Sequence, residues 1–257
     1  MTPPVVRATR YVAPLREGGS LPALVEAEDD GLYVCKFRGA GQGPRALVAE
    51  LVAGGVGRAL GLPVPDLVVL DVAPELGAAE PDPEIQDLLR ASVGLNAGMD
   101  FLPGALAFDP AGGEPVDPSF AADVVWFDAL TTNVDRTVRN PNLLVWHGRT
   151  WLIDHGAALY LHHSPGDLVA RARRPFPALR DHVLLPAAAP LAEADARLAP
   201  RLHRTALEGV LAGVPDAWLE DRGGPEARRA EYVDYLCARL EGPRGWVDEA
   251  EEARGGR

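Results

Sequence analysis

Apolar and polar residues change their period several times along the 257-residue chain, and those changes divide it into elements. Short alternating or β-branched stretches near residues 22–27, 31–38 and 66–72 predict strands. Between the second and third of them, Leu47, Leu51, Val52 and Val56 fall on one arc of a helix that begins after Pro44. It stops at about Leu60, where Gly61 and Pro63 cannot continue it. A shorter helix is expected near 83–91, and Gly94, Gly98, Pro103 and Gly104 then read as a hinge. Val124, Val125, Phe127, Ala129 and Leu130 mark the buried side of a helix from about Ser119 to Thr132. Two apolar runs, Leu143 to Trp146 and Trp151 to Ile153, flank His147-Gly148-Arg149-Thr150 and predict a hairpin. From residue 165 onward the chain reads as helical, with Leu198, Leu202, Leu207, Leu211, Tyr232, Tyr235 and Leu236 at helical spacings.

The hairpin carries candidate chemistry. Asp135 stands five residues before Asn140, and Asp154-His155-Gly156 follows the second apolar run. An antiparallel return is expected to lay Asp154 opposite Asn142 and close to Asn140. Paired strands lie about 5 Å apart, so an Asn carbonyl oxygen and an Asp carboxylate at one end can share a divalent cation. Magnesium prefers such hard oxygen ligands. Phosphotransferases of the kinase class hold metal on nucleotide phosphates with an Asn and the Asp of an Asp-x-Gly turn. An Asp five residues before that Asn takes the proton of the attacking hydroxyl. Asn140 and Asp154 are therefore expected metal ligands and Asp135 the catalytic base, with Gly156 letting the backbone turn sharply. Each part alone also fits a plain capping residue, loop or strand-ending turn. The joint spacing favours the catalytic reading.

Composition adds a second feature. Of 25 basic residues only Lys36 is lysine. A compact ammonium fits between phosphates, whereas a planar guanidinium is larger and wants a fork of acceptors. Alternation along Leu32-Tyr33-Val34-Cys35-Lys36-Phe37 puts Val34 on the face of Lys36, as the floor of an adenine pocket. Gly39, Gly41 and Gly43 follow, and such a loop before a helix lets backbone amides approach phosphate. It lacks the Gly-x-Gly-x-x-Gly spacing and equally fits a flexible connection. Glu50 interrupts the apolar helix and either pairs with Lys36 or faces water; helical phase does not decide.

Taken together, Lys36, the Gly-rich loop, the Glu50 helix, Leu60-Gly61-Leu62-Pro63-Val64-Pro65 and the later Asn133-x-Asp135-Arg136 with Asn140 resemble the HipA-like kinases. The likeness is greatest to their short stand-alone bacterial members. Asn133-x-Asp135-Arg136 and Ile153-Asp154-x-Gly156 are also similar to type II phosphatidylinositol 4-kinases. The resemblance covers roughly residues 30–165. It implies one α+β domain of two-lobed protein-kinase-like fold, with a small mixed N-lobe at about 5–98, a mainly helical C-lobe at about 99–245 and a frayed acidic tail at 246–257. It also implies ATP and Mg2+ as cofactors, Lys36 on the nucleotide phosphates, Asp135 as base, and Asn140 with Asp154 on the metal. The γ-phosphate would go to a hydroxyl of an unidentified protein or small molecule. Residues 38–46 contain no Ser or Thr, so the loop autophosphorylation that silences HipA-type toxins does not carry over. The roughly 20–30 residues before the first expected strand pair are too few for those toxins' extra N-terminal domain. Asn133-Val134-Asp135 stands where ordinary protein kinases have His-Arg-Asp.

The formal net charge of −12 argues against general nucleic-acid binding. No apolar run long enough for a membrane span is present, and the N-terminus lacks the pattern of a signal peptide. Cys35 and Cys237 read as reduced core residues, and a cytoplasmic location is expected. Arg171, Arg173 and Arg174 either attract an acidic or phosphorylated partner or form a solvated loop. Two other function classes fit. One is a nucleotide-binding pseudokinase acting as a regulatory module, and the other a metal-dependent hydrolase using Asp154, His155, His162 and His163. Adjacent histidines on a strand point to opposite faces, which counts against the hydrolase.

Overall fold

Alternating segments in the first hundred residues close into a barrel. Its strands are β1 (Val5–Pro14), β2 (Ala23–Ala27), β3 (Leu32–Lys36), β4 (Leu67–Val72) and β5 (Gly94–Asp100), hydrogen-bonded in the order β1-β2-β3-β5-β4. β1 shuts the ring by pairing in parallel with β4. The structure, a computed structural model, describes residues 2–15, 21–41, 43–78, 80–112, 115–220 and 223–256. Val6, Val25, Tyr33, Cys35, Phe37, Val68 and Leu70 fill the barrel core. Val34 and Lys36 alternate with Tyr33 and Cys35 and so share the opposite face of β3.

Two features of the barrel depart from expectation. β1 is a strand that the sequence pattern did not announce, because only Val6 and Ala8 of its ten residues are buried and register shifts interrupt its pairing with β2. Gly94 and Gly98 belong to β5 and not to a hinge. At Gly98 a Cβ would fall 2.6 Å from Val68 Cγ2, so this glycine admits close packing inside the sheet.

Helix α1 (Gly43–Ala59) is buried over most of its circumference, Glu50 included, and α2 (Pro83–Ala91) starts on an Asp82 cap. Helix α3 (Pro118–Thr131) has Asp117 as N-cap and Pro at its first turn, and ends where Thr132 enters the left-handed region at φ 51°. Its Val124, Val125, Phe127, Ala129 and Leu130 are fully buried in the larger core. A small sheet follows, of order β6 (Leu106–Ala107), β7 (Leu143–Trp146), β8 (Arg149–Leu152). The remainder contains α4 (Leu191–Leu198), α5 (Arg204–Leu211), α6 (Pro225–Leu240) and α7 (Gly245–Gly255). The architecture is mixed α/β.

Between residues 165 and 190 the expected helix is replaced by 3-10 turns. Pro175, Pro177 and Pro186 deny that stretch the amide donors an α-helix needs. The acidic tail is also corrected, over the part of it that is described: residues 246–255 belong to α7, which buries Trp246, Val247 and Ala250. Two of its carboxylates cap other segments, Glu249 accepting from the Phe176 amide at 2.7 Å and Glu251 from the Leu191 amide at 2.8 Å. Among the described residues no helix is long and apolar enough to cross a membrane.

Candidate active site

Lys36 is the meeting point of three elements. From β3 its ammonium donates to Glu50 Oε2 of α1 at 2.6 Å and to Asp154 Oδ1 beyond β8. Glu50 therefore pairs with the lysine, the alternative that helical phase left open. Its second oxygen accepts from the His155 amide at 3.1 Å, so one carboxylate ties α1 to both β3 and the Asp154 turn. Side-chain exposure is 13% for Lys36, 3% for Glu50 and 40% for Asp154, which leaves Asp154 as the carboxylate open to a ligand. Burial opposes the Lys36 charge, but Glu50 and Asp154 outweigh it and raise the ammonium above its ordinary value. For Asp154, burial is likewise overcome by Lys36, and its carboxyl is lowered.

The hairpin is tighter than expected. Its turn is only His147-Gly148, both at positive φ (49° and 71°), as a two-residue turn between twisted strands requires. Leu143 pairs with Leu152, so Ile153 lies opposite Asn142, its amide donating to the Asn142 carbonyl at 3.1 Å. Asp154 is thus one residue further along than the expected register put it. The left-handed conformation near this turn belongs to Asp154 (φ 54°) and Asn142 (φ 49°), not to Gly156. What Gly156 supplies is space: a Cβ there would come 3.2 Å from Lys36 Nζ and crowd it.

Asp135 follows α3 in the Asn133-Val134-Asp135 loop, its amide donating to Asn133 Oδ1 at 3.1 Å. Its Oδ2 accepts from Asn140 Nδ2 at 2.7 Å and from Asn142 Nδ2 at 3.3 Å. Burial raises its carboxyl above the ordinary value, Asp154 adding to the rise while Asn142, Asn140 and Lys36 oppose it. Asn142 was not singled out from sequence; a second Asn just after Asn140-Pro141 was the available signal.

The Gly-rich loop is more committed than an open cradle. Gly39 donates its amide to Ser92 Oγ at 3.1 Å, and a Cβ on it would meet Ala91 Cβ at 2.7 Å. The amides of Arg38, Ala40 and Gly43 are donated to Asn96 Oδ1, Phe37 O and Ala40 O. Gly41 and Gly43 have open space where a side chain would stand, and Gly43 has φ 64°. Gln42, between them, lies outside the described residues. Of the other candidates, Arg171 reaches the Leu161 carbonyl at 3.5 Å and Arg173 pairs with Glu241 at 3.2 Å. His162 and His163 lie on a 3-10 turn, not a strand, and their Nε2 atoms meet at 3.0 Å. The expectation of opposite faces is wrong for that reason. Even so, no group of three or more His, Cys, Asp or Glu side chains among the described residues is arranged to hold a metal.

A barrel lysine paired to a helix glutamate, set against an Asp-x-Gly turn and an Asp-x4-Asn loop, is the arrangement of a kinase. The chain belongs to the HipA-like kinases, a family that matches residues 9–241. No curated protein matches it. Among solved structures, the crystal structure of a Helicobacter pylori proinflammatory kinase, CtkA, is similar in fold, with a TM-score of 0.62 over 98% of this chain and 98% of that one at 12% identity.

The oxygen donors at the site fit a hard divalent cation. Asn140 spends its side-chain nitrogen on Asp135, which leaves its side-chain oxygen as an acceptor. Asp154 spends Oδ1 on Lys36 and keeps its other oxygen. These are hard oxygen donors of the kind Mg2+ selects.

Proposed function

We propose that the protein is an ATP- and Mg2+-dependent phosphotransferase that moves the γ-phosphate to a hydroxyl acceptor, with the barrel and α1 as one lobe and the helical part as the other. The observation that carries this reading is the Lys36 ammonium bridging Glu50 and Asp154 while the raised Asp135 carboxyl lies within electrostatic reach of both Lys36 and Asp154. Glu50 holds Lys36 in place to neutralise nucleotide phosphate, with Val34 on the same face of β3 to support the base. Asn140 and Asp154 would hold magnesium, which when bound neutralises charge developing on the phosphates. Asn140 and Asn142 aim the Asp135 carboxylate, and Asp135 accepts the acceptor's hydroxyl proton. Of the loop glycines, Gly41 and Gly43 are better placed than Gly39 to admit a phosphate.

Millimolar Mg-ATP tests the reading. Ligand at about 100 times its dissociation constant adds roughly 2.7 kcal/mol, or about 5–10 °C in melting temperature for a chain this long. Asp135→Asn should keep that shift and lose phosphotransfer, whereas Asp154→Ala should weaken magnesium-dependent binding. No thermal shift in the wild type defeats the proposal, and undiminished transfer by Asp135→Asn defeats the assigned base. Label from ATP entering a protein or a small-molecule fraction of a cell extract identifies the acceptor class.

A further inference from the structure

Arg136 directly follows the proposed base, is 1% exposed, and has no part in the chemistry above. A guanidinium carries five N–H donors in a rigid planar fork. Five contacts engage this one. Nε donates to Asp128 Oδ2 at 2.6 Å, and Nη2 reaches Asp128 Oδ1 at 3.5 Å and His155 Nδ1 at 3.4 Å. Nη1 donates to the carbonyls of Asn142 and, at 3.4 Å, Ile153. Asp128 anchors the fork from α3, and its Oδ2 also accepts from His182 at 2.9 Å.

The acceptors are the segments that carry the site. Asn142 is the residue whose side chain holds Asp135, and its carbonyl is fixed by Arg136. Ile153 and His155 stand on either side of Asp154, and the His155 amide holds Glu50, the partner of Lys36. Asp128 Oδ1 meanwhile accepts from Asn133 Nδ2 at 3.1 Å, and Asn133 accepts from the Asp135 amide. One buried side chain thus connects the loop of the base with both flanks of the Asp154 turn.

We propose that Arg136 is a positioning residue that fixes the Asp135 carboxylate relative to Asp154, through the Asn142 backbone and the two residues flanking Asp154. The assignment rests on the phosphotransferase reading. A purely structural role, in which the Arg136–Asp128 pair only supports the fold, predicts a loss of stability without a specific loss of turnover. Lysine keeps the charge but has three donors and no planar fork, so it cannot span Asp128 and the hairpin together.

The test compares Arg136→Lys and Asn142→Gly in the full-length protein. Asn142→Gly keeps the carbonyl that Arg136 holds and tolerates the positive φ, and removes only the side-chain arm to Asp135. Misplacement by about 1 Å costs on the order of 100-fold in rate. For Arg136→Lys the expected result is kcat lower by about that factor, with KM for ATP and the Mg-ATP thermal shift within about threefold of wild type. Asn142→Gly should lose kcat similarly, and the double variant should be little slower than the slower single one. Wild-type kcat in either variant, or losses that multiply, overturns the assignment. If Arg136→Lys does not fold, Asp128→Asn, which weakens the carboxylate that anchors the Arg136 fork, takes its place under the same kcat criterion. A wild type that binds Mg-ATP yet transfers no phosphate removes the function reading and this inference with it. An active wild type with unimpaired variants removes this inference alone.

Discussion

Alanine at position 156 separates two reasons for a glycine in the Asp-x-Gly turn. If the backbone needed the left-handed region there, a Cβ would cost about 1–2 kcal/mol of stability. The φ at Gly156 lies outside that region. A Cβ would instead stand 3.2 Å from Lys36 Nζ, 3.5 Å from Glu50 Oε2 and 3.6 Å from Asp154 Oδ1. The end of a lysine side chain can retreat by roughly a few tenths of an ångström, at a cost of about 0.5–1 kcal/mol in weakened contacts. Replacing glycine where φ is permissive returns about 0.4–1 kcal/mol by narrowing the unfolded ensemble. The two nearly cancel, so the melting temperature of Gly156→Ala should move by less than about 3 °C. Turnover has no such compensation. A displacement of about 1 Å costs on the order of 100-fold, so a few tenths should cost about 3–10-fold in phosphotransfer. Thermal denaturation and initial rates on the same preparation decide it. A drop of more than about 6 °C with unchanged turnover would show that conformation, not space beside Lys36, demands the glycine.

Three further outcomes are expected. Glu50, 2% exposed, is an acceptor for both Lys36 and the His155 amide, so Glu50→Ala should cost about 2–4 kcal/mol by denaturant titration; Glu50→Gln, which keeps an acceptor, should cost less, and the reverse order would contradict the contacts described. His155 is pushed down to about 3 by burial, with the Arg136 charge adding to the effect, against about 6.5 in the unfolded chain. The unfolded state therefore takes up the proton first as pH falls, and the stability present above about pH 6.5 is lost progressively toward pH 3. Between pH 7 and 5 that loss is about 2 kcal/mol; urea titrations of His155→Gln should be flatter by this amount, and parallel profiles would refute it. Deleting residues 245–257 removes the buried side chains of Trp246 and Val247, which are 4% and 8% exposed, and uncovers the core they pack on, and should cost about 4 kcal/mol or more, where a frayed tail would cost nothing measurable.

The contact of Asp135 with Asn140 was legible because it is local in sequence. Asp135, Asn140 and Asp154 lie within twenty residues of one another, and a hairpin is the shortest way to bring them together. Lys36 stood out by composition, and α3 by its buried spacing. What stayed hidden depends on contacts across long separations. Glu50 and Lys36 are fourteen residues apart, but Lys36 and Asp154 are separated by 118, and no periodicity reports that. β1 buries only two of its residues and joins the barrel through backbone pairing with β2 and β4, which leaves little hydrophobic signal. The acidic run in α7 looked solvated because Glu249 and Glu251 are charged, yet each finds a distant backbone amide in need of an acceptor. The glycines of β5 read as breakers because an absent side chain looks the same in a turn and in a tightly packed strand.

The single lysine among 25 basic residues acquires a physical reason from the same contacts. At Arg239 and Arg229 arginine serves as a fork for several backbone acceptors at once. Arg239 donates to the carbonyls of Ala129, Leu130 and Ala172, and Arg229 to those of Leu211 and Val214. Such sites reward a planar group with five donors, and an ammonium could not span them. At position 36 the demands are reversed. Glu50 and Asp154 approach one small cation from two elements, and Gly156 leaves only 3.2 Å between Nζ and the place of a missing Cβ. A guanidinium is larger than the ammonium that fits there, and the space beside Gly156 is already tight. The compositional oddity and the crowding at Gly156 are therefore one constraint: room for a point charge and no room for a fork.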